Sequence, residues 1–270
     1  MSIDERIFVQ YPDTTIGYLT ADVSVKLTDP YVATVKQSLS QRLKRLGITA
    51  QNVADHPDIT SWRSIYRHCG VKPNEYRSSV ESLLRRVTRG QEIWRISNVV
   101  DLYNAVSVLT LLPMGGYDRE KISGNLRLRY GITGESFHPL GSQETIAVHN
   151  SHIVYADDEK VVCWLWNHRD SRLSVIDEHT QHAVFFIDAA CIPHACPVEE
   201  ALTMLAQHLS GIGALQLASS TSVAHRWRRK QVHIVPIDRH SFVHYQMHIF
   251  ISRNCQSGRN LIGQMHIVAR

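Results

Sequence analysis

The sequence predicts an α+β protein in which a mostly antiparallel sheet is flanked by helices. Up to about residue 112, apolar residues recur every three or four positions, which is the helical period. From about residue 125 to 190 they recur at every second position, in short runs separated by Gly, Asn and Asp. Helices that come early and strands that come later favour this class over a fold of alternating βαβ units.

Start and stop signals locate the first elements. "IFVQY" and "TIGYLTADVSV" are β-prone runs in the first 25 residues, and we predict that both are strands. Helices follow in "DPYVATVKQSLSQRLKRLG", "ITSWRSIYRHCG" and "SSVESLLRRVTRG". The first of these helices has Asp29 as its N-cap and Pro30 at its first position, and the third has Ser78 three residues before Glu81, the capping-box spacing.

The stretch "NVVDLYNAVSVLTLLPMGGYD", residues 98–118, predicts a helix that ends at a proline and two glycines. Its apolar stripe is interrupted by Asp101, Asn104 and Ser107, whose short polar groups can bind a neighbour or a ligand. We interpret the helix as a pocket wall. Gly115 and Gly116 are expected to form a tight turn, which either supplies backbone donors to a ligand or only reverses the chain.

Six short runs after this helix are typical of strands, and the last helix follows them. The runs are "NLRLRYG", "ETIAV", "HIVYAD", "VVCWLWNH", "RLSVI" and "AVFFIDAA", and the helix is "CPVEEALTMLAQHLSG".

Composition restricts the function classes. The chain has 270 residues, of which 43% are hydrophobic and 20% charged, which is ordinary for a globular protein of one or two domains. Five cysteines form no regular framework, so we expect reduced thiols. We find no secretory signal and no apolar run of about 18 residues, which favours a cytoplasmic protein without a membrane partner. The G-x-S-x-G, P-loop and G-x-G-x-x-G motifs are absent, so we expect no nucleotide and no other cofactor.

The charge divides the chain at residue 225. Residues 225–270 contain eight Lys or Arg and one acid, whereas residues 1–224 contain 21 Lys or Arg and 24 acids. We therefore predict one α+β domain over 1–224 and a basic, histidine-rich extension over 225–270. Its "HRWRRK" run at 225–230 has the composition of an RNA-backbone contact, and a solvated or loosely attached surface segment is the equal alternative.

Four ordered segments carry a family resemblance: "YRSSVESLLRRVTRG", the stretch from "NVVDLYNAVSVLTLLPMGGYD" to "FHPLG", "VYADDEKVVCWLWNHRDS" and "DEHTQHAVFFI". Over about residues 55–215 the chain resembles the B3/B4 domain of the phenylalanyl-tRNA synthetase beta subunit, and more closely the freestanding proteins that consist of that domain. The resemblance implies a B3/B4-like α+β fold with a mixed β-sandwich. In the synthetase, this domain has a pocket that hydrolyses wrongly attached tyrosine from tRNA.

The resemblance places several pocket residues. The synthetases have a threonine and an asparagine on the pocket helix, where this chain has Tyr103 and Asn104, and their pocket proline falls on Pro113. Their histidine is replaced by Gly115. Without it, backbone N–H groups of a glycine turn and the ribose hydroxyl of the tRNA are the expected helpers of ester hydrolysis.

The resemblance also predicts a more apolar pocket. The alanine and glycine of the synthetase pocket fall on or near Cys163 and Trp164, and the glutamate that recognises tyrosine falls near Phe186, with Asp188 as the nearest acid. Because an unpaired buried carboxylate is costly, we expect an apolar pocket with a different side-chain selectivity. We assign Asn104, Gly115 and Gly116 as catalytic. The predicted substrate-binding residues are Tyr103, Pro113, Tyr117, Asp118, Glu135, Cys163, Trp164, Arg169 and Phe186.

The remaining candidates have ordinary structural alternatives. Arg169 can contact phosphate or the terminal adenine, or can form an intrachain ion pair with a carboxylate that closes a turn, which is the commoner case. Glu135 can orient a water or can be an ordinary loop carboxylate. "CIPHAC" at 191–196 and the histidines of "HSFVHYQMHIFIS" lack the usual ligand number or spacing of a zinc site, so we expect no metal.

The leading functional hypothesis is therefore a freestanding editing-domain homologue. It would bind the aminoacylated 3′ end of tRNA and hydrolyse a mismatched aminoacyl ester. The first alternative is a catalytically inactive module that binds RNA or an amino acid. The second alternative is a small-molecule hydrolase unrelated to RNA, which the absence of a nucleophile motif disfavours.

Overall fold

A computed structural model describes residues 1–190 and 196–223. The helices are α1 Glu5–Gln10, α2 Pro30–Arg45, α3 Pro57–His68, α4 Ser79–Thr88, α5 Asn98–Thr110 and α6 Val198–Gly211. The strands are β1 Ser2–Ile3, β2 Thr15–Asp22, β3 Met114–Asp118, β4 Arg127–Tyr130, β5 Ser136–Phe137, β6 Ile146–Ala147, β7 Ile153–Ala156, β8 Val161–Trp164, β9 Arg169–Asp170, β10 His182–Ala189 and β11 Leu215–Val223.

The strands form two main sheets and one small one. The first sheet has the order β1-β4-β7-β8-β9, the second β11-β2-β10-β3, and β5 pairs with β6. Among the described strands, only β1 and β4 are parallel. The predicted α+β class with mostly antiparallel pairing is thus confirmed. In the part of the chain that the structure describes, no helix is long and apolar enough to cross a membrane.

Strand β10 separates two hydrophobic cores. Successive strand residues point to opposite faces of a sheet. Phe185 and Ile187 accordingly join the core formed with α2, α4, α5 and α6. Val184 and Phe186 join the other core, which lies against the sheet of β4, β7 and β8. The β10 sheet is therefore the middle layer, with helices on one face and a second sheet on the other.

The helix boundaries follow the capping signals of the sequence. The Asp29 carboxylate accepts a hydrogen bond from the Tyr31 N–H at 2.8 Å, and the Ser78 hydroxyl accepts one from the Glu81 N–H at 3.3 Å. Such caps satisfy N–H groups that have no partner inside the helix. The predicted helices α2, α3, α4, α5 and α6 are all present.

Three local predictions were wrong. "IFVQY" belongs to helix α1, because Asp4 caps a short helix that buries Ile7. "RLSVI" forms no strand and has a single isolated bridge, between Val175 and Tyr117. The glycine pair does not form a turn: helix α5 ends at Leu111, whose φ is 63°, and residues 114–118 form strand β3.

Two of the polar residues of α5 have structural partners. The Asp101 carboxylate accepts hydrogen bonds from the Lys36 ammonium at 2.7 Å and from the Ile96 N–H at 2.8 Å. The Ser107 hydroxyl donates to the Leu112 carbonyl at 2.6 Å, beyond the end of the helix. These groups fix the two ends of α5 to the chain around it.

We expect Asp101→Ala to lower the free energy of unfolding by about 1–3 kcal/mol, because it removes the carboxylate that accepts hydrogen bonds from the half-buried Lys36 ammonium and the Ile96 N–H. Denaturant unfolding monitored by circular dichroism measures the effect. Glu75→Ala is the matched control, since Glu75 belongs to an exposed pair with Lys72 and should cost less than about 1 kcal/mol. Equal losses in the two variants would contradict the assignment.

Candidate functional site

A small cavity lies between the two main sheets. Its volume is about 30 Å³. Roughly 10–15 Å³ holds one water molecule, so the cavity has room for about two. It is lined by Ser79, Met114, Gly115, Tyr117, Tyr155, Cys163, Trp166, Asn167, His168, Arg169, Asp170, Phe186 and Asp188. Several polar groups therefore converge on a space that is closed to anything larger than water.

Two backbone features bring these residues together. Strands β3 and β10 are in a register that pairs Gly115 with Phe186, so both residues face the sheet of β4, β7 and β8. After β8, Leu165 and Trp166 have positive φ values of 52° and 64°, which reverse the chain. Positive φ is costly for residues other than glycine and persists where the surroundings impose it. The reversal brings residues 167–170 back over the cavity.

Asp188 is one of two acids in the cavity, and it is almost fully buried. Burial raises the pKa of its carboxyl to about 7, although hydrogen bonds from Tyr155 and Asn167 oppose the rise. The Tyr155 hydroxyl donates to Oδ1 at 2.6 Å, and the Asn167 amide lies 3.4 Å from Oδ2. The Asn167 amide oxygen in turn accepts from the Tyr66 hydroxyl at 2.8 Å. This chain of donors fixes the carboxyl in place.

Asp170 is the second acid. The Tyr117 hydroxyl donates to its Oδ1 at 2.9 Å. Burial raises the pKa of this carboxyl too, and the hydrogen bonds from Tyr117 and Cys163 oppose the rise. Burial, and then the nearby Asp170 charge, raise the pKa of the Cys163 thiol well above its usual value, so the thiol is a weak nucleophile.

The rim of the cavity is basic. Arg169 is exposed, and it forms no ion pair with any residue in the described ranges 1–190 and 196–223. The half-buried His168 places its Nδ1 2.7 Å from the Arg77 carbonyl oxygen. Burial lowers the pKa of His168, and the charges of Arg169 and Arg77 lower it further. The imidazole is therefore neutral at physiological pH.

The cavity includes five of the twelve predicted site residues. The ones that line it are Gly115, Tyr117, Cys163, Arg169 and Phe186. The ones that do not are Tyr103, Asn104, Pro113, Gly116, Asp118, Glu135 and Trp164.

The predicted glycine oxyanion site is contradicted by the strand pairing. The Asp188 N–H donates to the Pro113 carbonyl at 3.1 Å. Hydrogen-bonded pairs alternate along antiparallel strands, so the next such pair joins Gly115 to Phe186 and uses the Gly115 amide. Gly116 faces the helices instead, where an added Cβ would lie 2.9 Å from the Tyr103 ring. The two glycines face opposite cores, and the N–H groups of successive strand residues point to opposite edges of the strand, so the two glycine amides form no common donor site.

Tyr103 and Trp164 also point away from the cavity. Tyr103 packs in the helical core, with its ring centroid 5.9 Å from that of Phe185. Trp164 follows Cys163 on β8 and lies on the opposite face, where its indole N–H donates to His152 Nδ1 at 3.0 Å. Asn104 is half-buried on α5, outside the cavity lining.

Asp118 and Glu135 have structural partners. The Thr180 hydroxyl donates to Asp118 at 2.7 Å, and Glu135 accepts from Arg129 and from the Ile132 N–H at 2.8 Å. Burial would raise the pKa of Glu135, but these hydrogen bonds hold it below its usual value. The local structure accounts for both carboxylates without a ligand.

The expected ion pair between Arg169 and a carboxylate is also absent among residues 1–190 and 196–223, although Asp170 is its neighbour in the sequence. Asp170 pairs with Tyr117 instead. Two carboxyls line the cavity, which the expectation of a more apolar pocket did not anticipate. Sequence reasoning missed Asp170, Asp188, Asn167 and Tyr155 as members of one site. The alternation in "FFIDA" was the available signal for Asp188, since it places that residue on the same face as Phe186.

The metal prediction is tested only in part. Among residues 1–190 and 196–223, no group of three or more His, Cys, Asp or Glu side chains is arranged to hold a metal ion. Cys191 and His194 lie outside the described residues. The "HRWRRK" and "HSFVHYQMHIFIS" segments and the boundary at residue 225 lie outside them too, so those assignments stay predictions.

The raised pKa of Asp188 makes stability depend on pH. The folded protein keeps this proton up to about pH 7, whereas an unfolded aspartate loses it near pH 3.9. The free energy of unfolding therefore falls as pH rises through this interval. We expect Asp188→Asn to remove this fall and to be more stable than wild type at pH 7, as measured by denaturant titration at several pH values.

Asp177→Asn is the control for this measurement. Its lowered pKa, caused by hydrogen bonds from Lys121, gives stability that is lost as pH falls, which is the opposite sign. A wild-type profile that is parallel to the Asp188→Asn profile from pH 4 to 7 would contradict the buried, protonated state.

Comparisons with known proteins support one family. The B3/4 domain model matches residues 61–195, which is half of the chain. Phenylalanine–tRNA ligase beta subunits of Legionella pneumophila strains Lens and Paris are each 32% identical over 108 residues, which is 40% of this chain and 13% of those proteins. An N-terminal fragment of the Pyrococcus horikoshii phenylalanyl-tRNA synthetase beta subunit superposes with a TM-score of 0.43 and 11% identity, over 80% of this chain and 49% of the fragment. The chain, with its α+β layers and its B3/4 match, is a synthetase-related module that belongs to the B3/4 domain family.

Proposed function

We propose that this chain is a tRNA-binding module in which the family pocket is closed to an aminoacyl ester. The single observation that carries the proposal is the cavity volume of about 30 Å³ at Gly115, Cys163 and Phe186, three of the positions that the resemblance matches to the pocket. Pockets for organic ligands usually have about 300–1,000 Å³, roughly ten times more.

The partner is inferred from the relatives. The curated relatives are, by name, beta subunits of a ligase that joins phenylalanine to tRNA. The chain spans only 13% of their length, so their full activity does not transfer to it. Their shared partner is tRNA, and we infer that this module keeps it.

Aromatic side chains keep the cavity small. The Phe186 ring lies 6.0 Å from that of Tyr117 and 5.3 Å from that of Tyr155, measured between centroids. Both tyrosines are also hydrogen-bonded to the buried acids. To admit an amino acid, these rings would have to move and leave buried polar groups without partners, which costs about 1–3 kcal/mol for each group.

Ester hydrolysis is the second candidate, and one observation favours it. Asp188 has a pKa of about 7, which suits a general base or acid at neutral pH. Hydrolysis would require that the aromatic rings move aside, so that a water and an ester reach this carboxyl. The closed cavity disfavours that path, but a direct assay separates the two candidates.

We expect the full chain to bind unacylated tRNA, with an affinity that falls as salt is raised, and to release no amino acid from a panel of misacylated tRNAs above the uncatalysed rate. Filter binding and acid-precipitable label measure the two quantities. Absence of tRNA binding at low salt would refute the proposal. Release that depends on Asp188, and that Asp188→Asn abolishes, would favour the second candidate.

Phe186→Ala extends the assay, because it enlarges the cavity. Phe185→Ala is the matched control, because loss of the Phe185 ring creates a cavity in the helical core, on the other face of the same strand. Each should cost about 3–5 kcal/mol of stability. We expect neither variant to hydrolyse the ester. If Phe186→Ala hydrolyses the ester and Phe185→Ala does not, an active site lies behind the Phe186 ring.

A further inference from the structure

Helices α3 and α4 and the connection between them carry an excess of positive charge. Residues 57–90 contain seven Lys or Arg and three acids, a net charge of +4. Residues 1–224 as a whole have a net charge of −3, from 21 Lys or Arg and 24 acids. The α3–α4 region is therefore basic on a module that is otherwise acidic.

A shallow groove of about 550 Å³ lies in this region, at the end of α3 and along the connection to α4. Arg63, Arg67 and Lys72 line it together with Asn74, and Glu75 is its single acid. Glu75 pairs with Lys72 at 3.4 Å, and both side chains are largely exposed. Exposed pairs of this kind are weak, so an incoming anion can replace Glu75 at little cost.

One cation of the groove is held in position before any ligand arrives. The Arg63 guanidinium donates to Glu81 Oε1 at 2.8 Å, to the Pro73 carbonyl at 3.4 Å and to the Asn74 side chain. An arginine fixed by such contacts loses less conformational entropy when it binds phosphate. Arg67 remains exposed on the same wall.

Glu81, the acid that pairs with Arg63, also contacts two other arginines. Glu81 is fully buried, and its Oε1 also accepts from Arg85 Nε at 2.9 Å and lies 3.8 Å from Arg77 Nε. One carboxylate thus faces three guanidinium groups. The positive excess persists beside the groove and attracts an anion with more than one charge.

The groove is connected to the rim of the cavity. Tyr76, in the α3–α4 connection, packs its ring 5.5 Å from Trp164 and 5.4 Å from His168, measured between centroids. The next residue, Arg77, contacts His168 through its carbonyl. Arg77 and Arg169 therefore both lie near His168, at the end of the connection that carries the groove.

We propose that this groove binds the phosphate backbone of tRNA, through Arg63, Arg67 and Lys72. The inference rests on the proposed tRNA binding. A row of cations in a shallow, open groove matches successive phosphates of a nucleic-acid strand, and such contacts position an RNA without reading its sequence.

The test is a charge reversal at two exposed residues of the groove. We expect the full chain with Arg67→Glu and Lys72→Glu to bind tRNA at least tenfold more weakly at about 100 mM salt, with a shallower salt dependence, because phosphate contacts are lost. Lys44→Glu with Arg45→Glu is the matched control: it reverses two exposed charges at the end of α2 and should change the affinity by less than about threefold. Circular dichroism confirms that both proteins are folded.

The outcomes separate the two proposals. Failure of the wild-type chain to bind tRNA at any salt would refute tRNA binding itself. Binding that is reduced equally by both double variants would overturn the groove. A chain with Arg226, Arg228, Arg229 and Lys230 changed to Gln is the third arm: loss in that chain alone would place the contact outside the groove and also overturn the inference. Weakened binding to anionic lipid vesicles, with tRNA binding unchanged, would reassign the groove to a membrane.

Discussion

The pairing of β10 between β2 and β3 is the constraint on which the arrangement depends. It joins Asp188 to Pro113, Phe186 to Gly115 and Ala183 to Asp118 in one register, while β2 runs along its other edge. A slip of one residue would exchange the two faces of the strand and would move a carboxyl into the helical core. The two faces are both buried, which specifies the register strongly.

This register explains the closed cavity. Phe186 and Asp188 point to the same side, where β7 contributes Tyr155 and the turn after β8 contributes Asp170. No cation is hydrogen-bonded to either acid in the described ranges 1–190 and 196–223, and their partners include two tyrosine hydroxyls, the Asn167 amide and the Cys163 thiol. Desolvation disfavours the charged form of a carboxyl, and without a cation beside them the pKa values of both acids are raised. The aromatic rings and the acids thus exclude larger ligands together.

Local signals were sufficient for the helices but not for the site. The Asp29 and Ser78 caps act within three residues, so the sequence alone located the starts of α2 and α4. The glycine pair was misinterpreted because its conformation is imposed by β10, about 70 residues later, and not by its own turn propensity. The sequence placed Asp188 near the predicted pocket but not among its residues. The strand register decides whether a residue of β10 faces the cavity or the opposite core, and it depends on pairing with distant strands.

The central claim is that tRNA binds while its amino acid stays outside the cavity. The most direct measurement is the ratio of the dissociation constants of one tRNA in its aminoacylated and unacylated forms, made with the full chain at one salt concentration. Equal constants are predicted, because the phosphate contacts are common to both forms and a cavity of about 30 Å³ excludes the amino acid. Binding of the aminoacylated form that is tenfold tighter or more, about 1.4 kcal/mol, would contradict the claim.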